Sequence, residues 1–296
     1  MFEGFAVGRT EVEGGLEIAW VAGGEGEPVL LLHGFPQTHA LWARVAPVLA
    51  AKGYRVIAAD LRGYGASSKP PLSEDHASHS FRTMGRDMGR LMSELGHERF
   101  HLVGHDRGGR VAHRMALDQP ERVATATVMD IVPTHTILTA LRREVATAYW
   151  HWTFLAQPAP FPERLIGANP DYFFETCLLG WGAARIEDFD AEQLEAYRSA
   201  WRDPDTIAGM CNDYRAALTA DLSDDGADLG RRITAPTLVL YGRDGAMGRL
   251  YDVPGTWAEK CEMMRAEAMP GGHFFVDERP GDVAERLLAF LSAHPV

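Results

Sequence analysis

Apolar residues along this chain recur in two alternating patterns. Short apolar runs, which are typical of buried strands, are separated by longer stretches in which apolar positions recur at helical spacing. Such alternation favours a mostly parallel sheet wound between helices, so the predicted fold class is α/β. Strands are predicted at residues 16–21, 28–32, 54–60, 100–105, 123–132, 237–241 and 263–268, and helices at 41–52, 81–95, 107–117 and 281–292.

The alternation stops between Pro133 and about Asp225. Because open α/β sheets bind ligands at the C-terminal edge of their strands, we interpret this helix-like stretch as a cap inserted over that edge. The predicted organisation is a core of residues 1–132 and 226–296 with a helical cap of residues 133–225. Alternatively, its tryptophans serve only to pack helices on the core, the commoner role of large aromatic residues. They are Trp150, Trp152, Trp181 and Trp201.

The segment after the predicted strand 100–105 reads Gly104-His105-Asp106-Arg107-Gly108. The spacing small–x–nucleophile–x–small is typical of a nucleophile elbow, a sharp strand-to-helix turn that exposes one side chain above the sheet. Glycine flanks such a turn because the close backbone contacts leave no room for a Cβ. The exposed residue is Asp106, at a position where most such elbows carry serine.

An aspartate at this position narrows the chemistry. A carboxylate that attacked an acyl carbon would form an anhydride, which is a poor intermediate. Its attack on an sp³ carbon with a leaving group instead forms an alkyl ester that water can cleave. The elbow therefore favours displacement at a carbon–halogen bond or an epoxide over ester or peptide hydrolysis.

Cleavage of that ester needs a general base, and the base needs a carboxylate to orient it. His273 lies in a glycine-rich loop between the last predicted strand and the closing helix, where this fold places its histidine. Asp130 and Asp244 each follow a strand at the same sheet edge, and spacing alone favours neither. The one not used would be a helix cap or a turn residue. The backbone N–H groups of Phe35 and Arg107 form the predicted oxyanion hole.

Two arginines, Arg107 and Arg110, follow the nucleophile within one helical turn. The helix dipole disfavours cations at a helix N-terminus, so this pair needs a reason. Because planar guanidinium groups match a carboxylate, we interpret the pair as a clamp for an anionic substrate beside Asp106. The alternative is that one or both arginines face solvent or pair with acidic residues of the cap.

The predicted cap supplies hydrogen-bond donors at His151, Trp152 and Tyr214. A departing halide needs donors and is poorly served by carboxylates or carbonyls. Imidazole N–H, indole N–H and phenol O–H groups are donors that suit an apolar pocket. Each of these residues taken alone would be interpreted as packing.

Composition limits the partners of the chain. Its 296 residues carry a formal net charge of −12, which disfavours nucleic acid and anionic membranes. No apolar run approaches the roughly 20 residues of a membrane helix, and the N-terminus lacks the basic and apolar segments of a signal peptide. Three scattered cysteines form no metal-binding pattern and favour a reducing, cytoplasmic compartment; they are Cys177, Cys211 and Cys261.

Several motifs together resemble the fluoroacetate (haloacetate) dehalogenases of the α/β-hydrolase fold, over essentially the whole chain. The elbow with both arginines, combined with a His-Trp pair in the cap, is the specific part of this resemblance. The motifs at residues 33–36 and 60–65 are shared with many dehalogenases and epoxide hydrolases. The motifs are His33-Gly34-Phe35-Pro36, Asp60-Leu61-Arg62-Gly63-Tyr64-Gly65, Gly104-His105-Asp106-Arg107-Gly108-Gly109-Arg110, Met129-Asp130-Ile131-Val132-Pro133-Thr134, Tyr149-Trp150-His151-Trp152 and Gly271-Gly272-His273-Phe274.

The resemblance implies an eight-stranded sheet, a homodimer, and no cofactor or metal. It also implies roles for the candidate residues and favours Asp130 over Asp244 as the acid. The implied roles are nucleophile for Asp106, base for His273, acid for Asp130, substrate carboxylate binding for Arg107 and Arg110, halide binding for His151, Trp152 and Tyr214, and a pocket wall for Trp181.

The predicted function is hydrolytic dehalogenation of a short 2-haloacid, which converts haloacetate to glycolate and halide. An epoxide hydrolase is the first alternative, because it uses the same aspartate elbow, but an arginine clamp has no role on a neutral epoxide. A non-catalytic ligand-binding protein is the second, although it would not need a complete aspartate–histidine–acid set. The tyrosines available to an epoxide hydrolase are Tyr149, Tyr172, Tyr197 and Tyr214.

Overall fold

The computed structural model of the protein describes residues 1–140, 142–181 and 185–296. Within this part of the chain, eight strands form one sheet. In chain order they are β1 (Ala6–Glu13), β2 (Leu16–Gly23), β3 (Glu27–Leu32), β4 (Tyr54–Ala59), β5 (Phe100–His105), β6 (Val123–Met129), β7 (Thr237–Gly242) and β8 (Met264–Met269).

The strands lie in the order β1-β2-β4-β3-β5-β6-β7-β8. Strands β3 to β8 are parallel, whereas β2 is antiparallel to both of its neighbours. The chain passes from β3 to β4 on one side and then to β5 on the other, and such a reversal opens a crevice at the C-terminal ends of the strands. Leu32 at the end of β3 pairs with Gly104 of β5, so the loops that hold Phe35 and Asp106 lie side by side.

Helices flank the sheet and fill the segment between β6 and β7. Before that segment they are α1 (Ala46–Ala50), α2 (Phe81–Glu94) and α3 (Arg107–Asp118). Within it they are α4 (Thr134–Thr139), α5 (Arg143–Ala148), α6 (Trp150–Leu155), α7 (Phe161–Gly167), α8 (Pro170–Gly180), α9 (Ala191–Trp201), α10 (Pro204–Ala216) and α11 (Leu222–Ala227). After it they are α12 (Ala246–Leu250), α13 (Val253–Ala258), α14 (Phe275–Glu278) and α15 (Pro280–Ser292).

Shorter helical turns connect these elements. Three are 3₁₀ turns and one is a π-helical turn between α10 and α11. They are His39–Arg44, Ala77–His79, Ile186–Asp188 and the π turn Ala217–Asp221. None of the helices in the described ranges combines the length and the apolar composition that would let it cross a membrane.

Both faces of the sheet are buried. Along β3, Leu30 and Leu32 belong to one apolar cluster, whereas Val29 and Leu31 belong to another, because alternate side chains of a strand point to opposite faces. This is the arrangement expected of a parallel sheet covered by helices. Trp201 of α9 is fully buried in the first cluster, so the helices between β6 and β7 share a hydrophobic core with the sheet.

Three local features differ from the sequence-based expectation. The strand predicted at 123–132 ends at Met129, because Asp130 has a φ of 51° that strands do not adopt. The helix predicted at 41–52 divides into the 3₁₀ turn and α1, where Pro47 has no N–H to continue the first helix. The edge strand β1 is absent from the predicted set, and it forms a short antiparallel hairpin with β2.

Candidate active site

Asp106 lies at a sharp turn between β5 and α3. Its backbone has φ 46° and ψ −113°, a conformation that is rare outside glycine and that is characteristic of strained functional positions. A Cβ built on Gly104 would lie 2.2 Å from the carbonyl oxygen of Gly108, and one built on Gly108 would lie 2.5 Å from that of Leu32. Only glycine fits at both positions, as the predicted elbow requires.

The loop after β3 covers the Asp106 carboxylate. Phe35 N donates a hydrogen bond to Asp106 Oδ2 at 3.0 Å. His33 supports this loop from below, because its Nε2 accepts a hydrogen bond from Leu61 N at 3.1 Å. The second predicted oxyanion donor, Arg107 N, is at the first residue of α3, where backbone N–H groups have no intrahelical acceptor. Both predicted donors are therefore next to the carboxylate.

His273 and Asp130 form a buried hydrogen-bonded pair. His273 Nδ1 is 2.6 Å from Asp130 Oδ2, and Gly242 N donates to Asp130 Oδ1 at 2.8 Å. Asp244 is half exposed, and its Oδ2 accepts a hydrogen bond from Gly271 N at 3.0 Å. Of the two carboxylates that spacing leaves open, Asp130 contacts the histidine, and Asp244 braces the loop that leads to it.

Neighbouring charges set the protonation states of this group. Burial lowers the pKa of His273, but the hydrogen bond that it donates to Asp130 and the charges of Asp130 and Asp106 outweigh burial and raise the pKa above its usual value. Burial raises the pKa of Asp106, and the charges of His273 and Arg107 more than offset this, so its pKa is about 2. At neutral pH, Asp106 is therefore an ionised carboxylate, the form that a nucleophile requires.

Arg107 is fully buried and is paired with an acid. Its Nε donates to Asp213 Oδ2 at 2.9 Å, and its Nη2 contacts Asp213 Oδ1. Its guanidinium carbon also lies 4.2 Å from the ring centroid of Tyr214 and 4.9 Å from that of Trp152. Asp213 is in α10, so this arginine has the acidic partner from the predicted cap that the alternative interpretation anticipates. The charge of Arg107 is neutralised within the protein.

Arg110 is equally buried but has a different environment. Its Nη1 donates to Val132 O at 3.0 Å and to Thr134 Oγ1 at 3.2 Å, and both acceptors are uncharged. Its Nε is buried, and no acceptor for it is found among the described residues. Burial and the charge of Arg107 lower the pKa of Arg110. Its guanidinium therefore forms no salt bridge among the described residues, although the charges of Asp106 and Asp225 act on it.

The predicted halide donors cluster together, and Tyr214 contacts Phe35 as well as the other two. The Tyr214 ring centroid lies 5.2 Å from that of Phe35, 5.5 Å from that of His151 and 5.3 Å from that of Trp152. Burial lowers the pKa of His151 well below its usual value and raises the pKa of Tyr214 well above its own, so both side chains are neutral and able to donate. Trp181, the predicted pocket wall, lies 4.2 Å from His151 by ring centroids.

Three buried polar residues at this site have no predicted role in dehalogenation. Asp213 binds Arg107, and His105 Nε2 lies 2.8 Å from the backbone oxygen of His273, which fixes the loop of that histidine. Tyr149 has a buried hydroxyl for which the described chain offers no partner. Each of the three lies within two positions of a predicted site residue in the sequence. This proximity is the only feature of the sequence that could have pointed to them.

The fold and this site define an α/β hydrolase. The chain belongs to the alpha/beta hydrolase fold family, whose model matches residues 27–280. Among individual proteins, it is 55% identical to the fluoroacetate dehalogenase of Burkholderia sp, over 99% of this chain and 95% of that protein. The soluble epoxide hydrolase of Corynebacterium sp. (strain C12) is more distant, at 29% identity over 94% of each chain.

A solved structure gives the same result. The structure of ALR0039 from Nostoc sp PCC 7120 superimposes with a TM-score of 0.95 at 44% identity, and the match covers 98% of this chain and 99% of that one. These similarities confirm the predicted α/β-hydrolase fold and the resemblance to the fluoroacetate dehalogenases.

Proposed function

We propose that this protein is a haloacetate dehalogenase, which hydrolyses haloacetate, including fluoroacetate, to glycolate and halide. The observation that carries the proposal is the pairing of an ionised Asp106 with the buried guanidinium of Arg110 beside it. A carboxylate nucleophile acts on an sp³ carbon, and a buried guanidinium that forms no salt bridge can bind an anionic ligand. A haloacetate provides both within one small molecule. The 55% identity to a fluoroacetate dehalogenase supports this choice.

The first step is displacement of the halide by Asp106. Because Phe35 N holds Oδ2, Oδ1 is the oxygen that attacks the α-carbon while Arg110 binds the substrate carboxylate. The new C–O bond forms as the C–halogen bond breaks, and the halide departs with the bonding electron pair. His151, Trp152 and Tyr214 donate hydrogen bonds to it, which matters most for fluoride, the poorest leaving group of the halides. The product is a carboxymethyl ester of Asp106.

The second step is hydrolysis of this ester. His273, oriented by Asp130, takes a proton from water, and the resulting hydroxide attacks the carbonyl carbon of Asp106. The backbone N–H groups of Phe35 and Arg107 stabilise the oxyanion that develops. Collapse of the tetrahedral intermediate releases glycolate and restores the carboxylate. The net reaction consumes one water and yields one halide and one proton.

We also propose that residues 133–225 act as a cap that keeps water away from the first step. The buried aromatic residues of α6 and α10 around Phe35 support this proposal. A homodimer is proposed from the resemblance to the dehalogenases. A cytoplasmic location is proposed because the three cysteines are buried free thiols, which suits a reducing compartment.

The test is release of free halide from fluoroacetate and chloroacetate, with a simple epoxide such as styrene oxide assayed in parallel. The proposal expects halide from both haloacetates and little diol. A His273→Ala variant should accumulate the carboxymethyl ester on a peptide that contains Asp106, detectable by mass spectrometry. Halide release from neither haloacetate contradicts the proposal, and turnover of the epoxide alone supports the epoxide hydrolase alternative.

A further inference from the structure

An arginine-rich groove of about 580 Å³ runs along α2 and α3, and none of the residues that line it belongs to the site around Asp106. Six arginines line this groove together with a single acidic residue, Asp118. The chain as a whole carries a formal net charge of −12, so the groove gathers cations against the overall balance. The arginines are Arg82, Arg86, Arg90, Arg114, Arg122 and Arg231.

Three of these arginines form a stripe along α2. Arg82, Arg86 and Arg90 are spaced four residues apart, so they lie on the same face of the helix. The rise of an α-helix makes this stripe about 12 Å long. Like charges at this spacing destabilise a helix, so the arrangement needs a reason beyond the stability of α2 itself.

Half of the six arginines are paired with aspartates. Arg82, Arg114 and Arg231 each have a guanidinium nitrogen within 3.1 Å of a carboxylate oxygen. Arg114 is 2% exposed, and its Nε has no hydrogen-bond partner in the described ranges. Its Nη1 lies 3.8 Å from Asp225. This part of the groove is therefore close to neutral. The aspartates that pair with these three arginines are Asp118, Asp224 and Asp228.

The other three arginines have no buried acidic partner. Arg86 is exposed and forms no ion pair with any other described residue. Arg90 lies 3.3 Å from Glu13, and Arg122 lies 3.4 Å from Glu98. The side chains of these glutamates are 58% and 78% exposed, and ion pairs of such exposed groups contribute little to stability. Three guanidinium groups on one wall of the groove are therefore available to a bound anion.

We propose that this groove binds an oligophosphate anion, with Arg86 as its central contact. A terminal phosphate group carries a charge of about −1.5 to −2 at neutral pH and offers three acceptor oxygens, whereas a carboxylate carries a single charge. A short phosphate chain thus supplies several arginines with charge-assisted, bidentate hydrogen bonds at once. A nucleic acid would extend beyond the groove into the field of an acidic molecule, which disfavours it. The proposal is independent of the proposed function.

The test is isothermal titration calorimetry with inorganic tripolyphosphate on wild type, Arg86→Glu and Arg164→Glu. Arg164 of α7 is the matched control, because it is exposed, lies outside the groove and gives the same change in net charge. The Kd should rise more than tenfold in Arg86→Glu, because charge-assisted hydrogen bonds are lost and the new carboxylate repels the anion. It should stay within about twofold of wild type in Arg164→Glu.

Adenosine triphosphate, titrated in parallel, distinguishes a free phosphate chain from a nucleotide. A Kd similar to that of tripolyphosphate assigns the site to the phosphate chain alone, and a lower one adds contacts to the nucleoside. Both should depend on Arg86 to the same extent, because the two ligands share the triphosphate.

Thermal unfolding gives a second readout. Without ligand, Arg86→Glu should be at least as stable as wild type, because an opposite charge replaces a like one in the stripe on α2. Tripolyphosphate should raise the unfolding midpoint of wild type and of Arg164→Glu, and it should raise that of Arg86→Glu clearly less.

Three results overturn the proposal. The first is no binding of tripolyphosphate to wild type at millimolar concentration, by calorimetry or by thermal shift. The second is an equal loss of affinity in Arg86→Glu and Arg164→Glu, which would mean unspecific attraction by the surface. The third is an Arg86→Glu variant that is less stable than wild type without ligand, which would show that Arg86 already has an acidic partner in the free protein.

Discussion

The two arginines that follow Asp106 lie on one turn of α3 but have opposite electrostatic situations. Arg107 is held by two contacts to the carboxylate of Asp213, whereas Arg110 donates only to uncharged oxygens. Burying a cation without an anion costs several kcal/mol. We interpret the absence of a salt bridge at Arg110 as the feature that leaves it able to bind the substrate carboxylate.

Replacing each arginine by methionine should affect the free energy of unfolding differently at the two positions. Arg107→Met leaves Asp213 buried without its charged partner and should lower the free energy of unfolding by about 3–5 kcal/mol. Arg110→Met removes a buried charge that has no salt bridge, together with two hydrogen bonds, so the free energy of unfolding should stay within about 1 kcal/mol of wild type. Urea denaturation of the ligand-free proteins measures both. Equal destabilisation by the two substitutions would contradict this account of Arg110.

Although its stability should stay close to that of wild type, Arg110→Met should lose activity. Its kcat/KM for chloroacetate should fall more than a hundredfold, which corresponds to about 3 kcal/mol for the loss of a buried charged partner. Steady-state halide release measures this ratio in the same preparation that is used for the stability measurement. A variant that retains the wild-type ratio would remove the main support for an anionic substrate.

Asp130 and Asp244 are the two candidate acids for His273, and the same substitution at each position compares their effects on activity. Asp130→Asn removes the charge that raises the pKa of His273, so the acid limb of the kcat profile should move to lower pH. The plateau should also fall roughly a hundredfold or more, because an amide does not hold the imidazole in the tautomer that a base requires. Asp244→Asn should stay within about twofold of wild type. The reverse pattern would make Asp244 the functional acid.

At the scale of elements, the elbow depends on how closely β3, β5 and α3 approach one another. Gly108→Ala would bring a Cβ to 2.5 Å from two backbone oxygens of β3 and its loop, and backbone atoms cannot move aside independently. We expect it to destabilise the fold by about 3 kcal/mol or more. Gly167→Ala in α7 is the control, since its Cβ meets nothing within 4 Å and should add about 0.5–1 kcal/mol. Chemical denaturation tests both.

The elements also show what can be predicted from sequence. The elbow and the strands beside it follow from local spacing, because turn geometry and strand burial act over a few neighbouring residues. Arg107 and Asp213 are 106 positions apart, and nothing in the spacing of either indicates that they meet. For the same reason, spacing does not choose between Asp130 and Asp244. Their positions depend on the twist of β6 and β7 and on the left-handed backbone of Asp130, which become visible only in the folded chain.

At the scale of the whole molecule, buried polar contacts join the sheet to the helices above it. Tyr197 of α9 donates to Asp277 Oδ1 at 2.9 Å, and Gln37, in the loop after β3, donates to Asp277 Oδ2 at 2.7 Å. Asp277 belongs to α14, which follows directly after the loop of His273. Asp277 therefore connects the loop that carries Phe35, the helix after the His273 loop and the helical segment between β6 and β7.

Asp277 should make the stability of the molecule depend on pH. Burial raises its pKa to about 7, although the hydrogen bonds from Gln37 and Tyr197 oppose this. The folded state therefore binds a proton more tightly than the unfolded state. The resulting stabilisation is complete below the usual carboxyl pKa and is lost as the pH rises to about 7. Relative to Asp277→Asn, wild type should lose roughly 2–3 kcal/mol between about pH 5 and about pH 8. A constant difference in urea denaturation would contradict this assignment.

The central claim is that Asp106 displaces the halide and that water then attacks the enzyme ester. A single turnover of fluoroacetate by excess enzyme in oxygen-18-labelled water tests it directly. The account predicts one fluoride per active site, unlabelled glycolate and one heavy oxygen in the Asp106 carboxylate, located by mass spectrometry of its peptide. Heavy oxygen in the first glycolate, with none in Asp106, would mean that water attacks the substrate directly and would contradict the account.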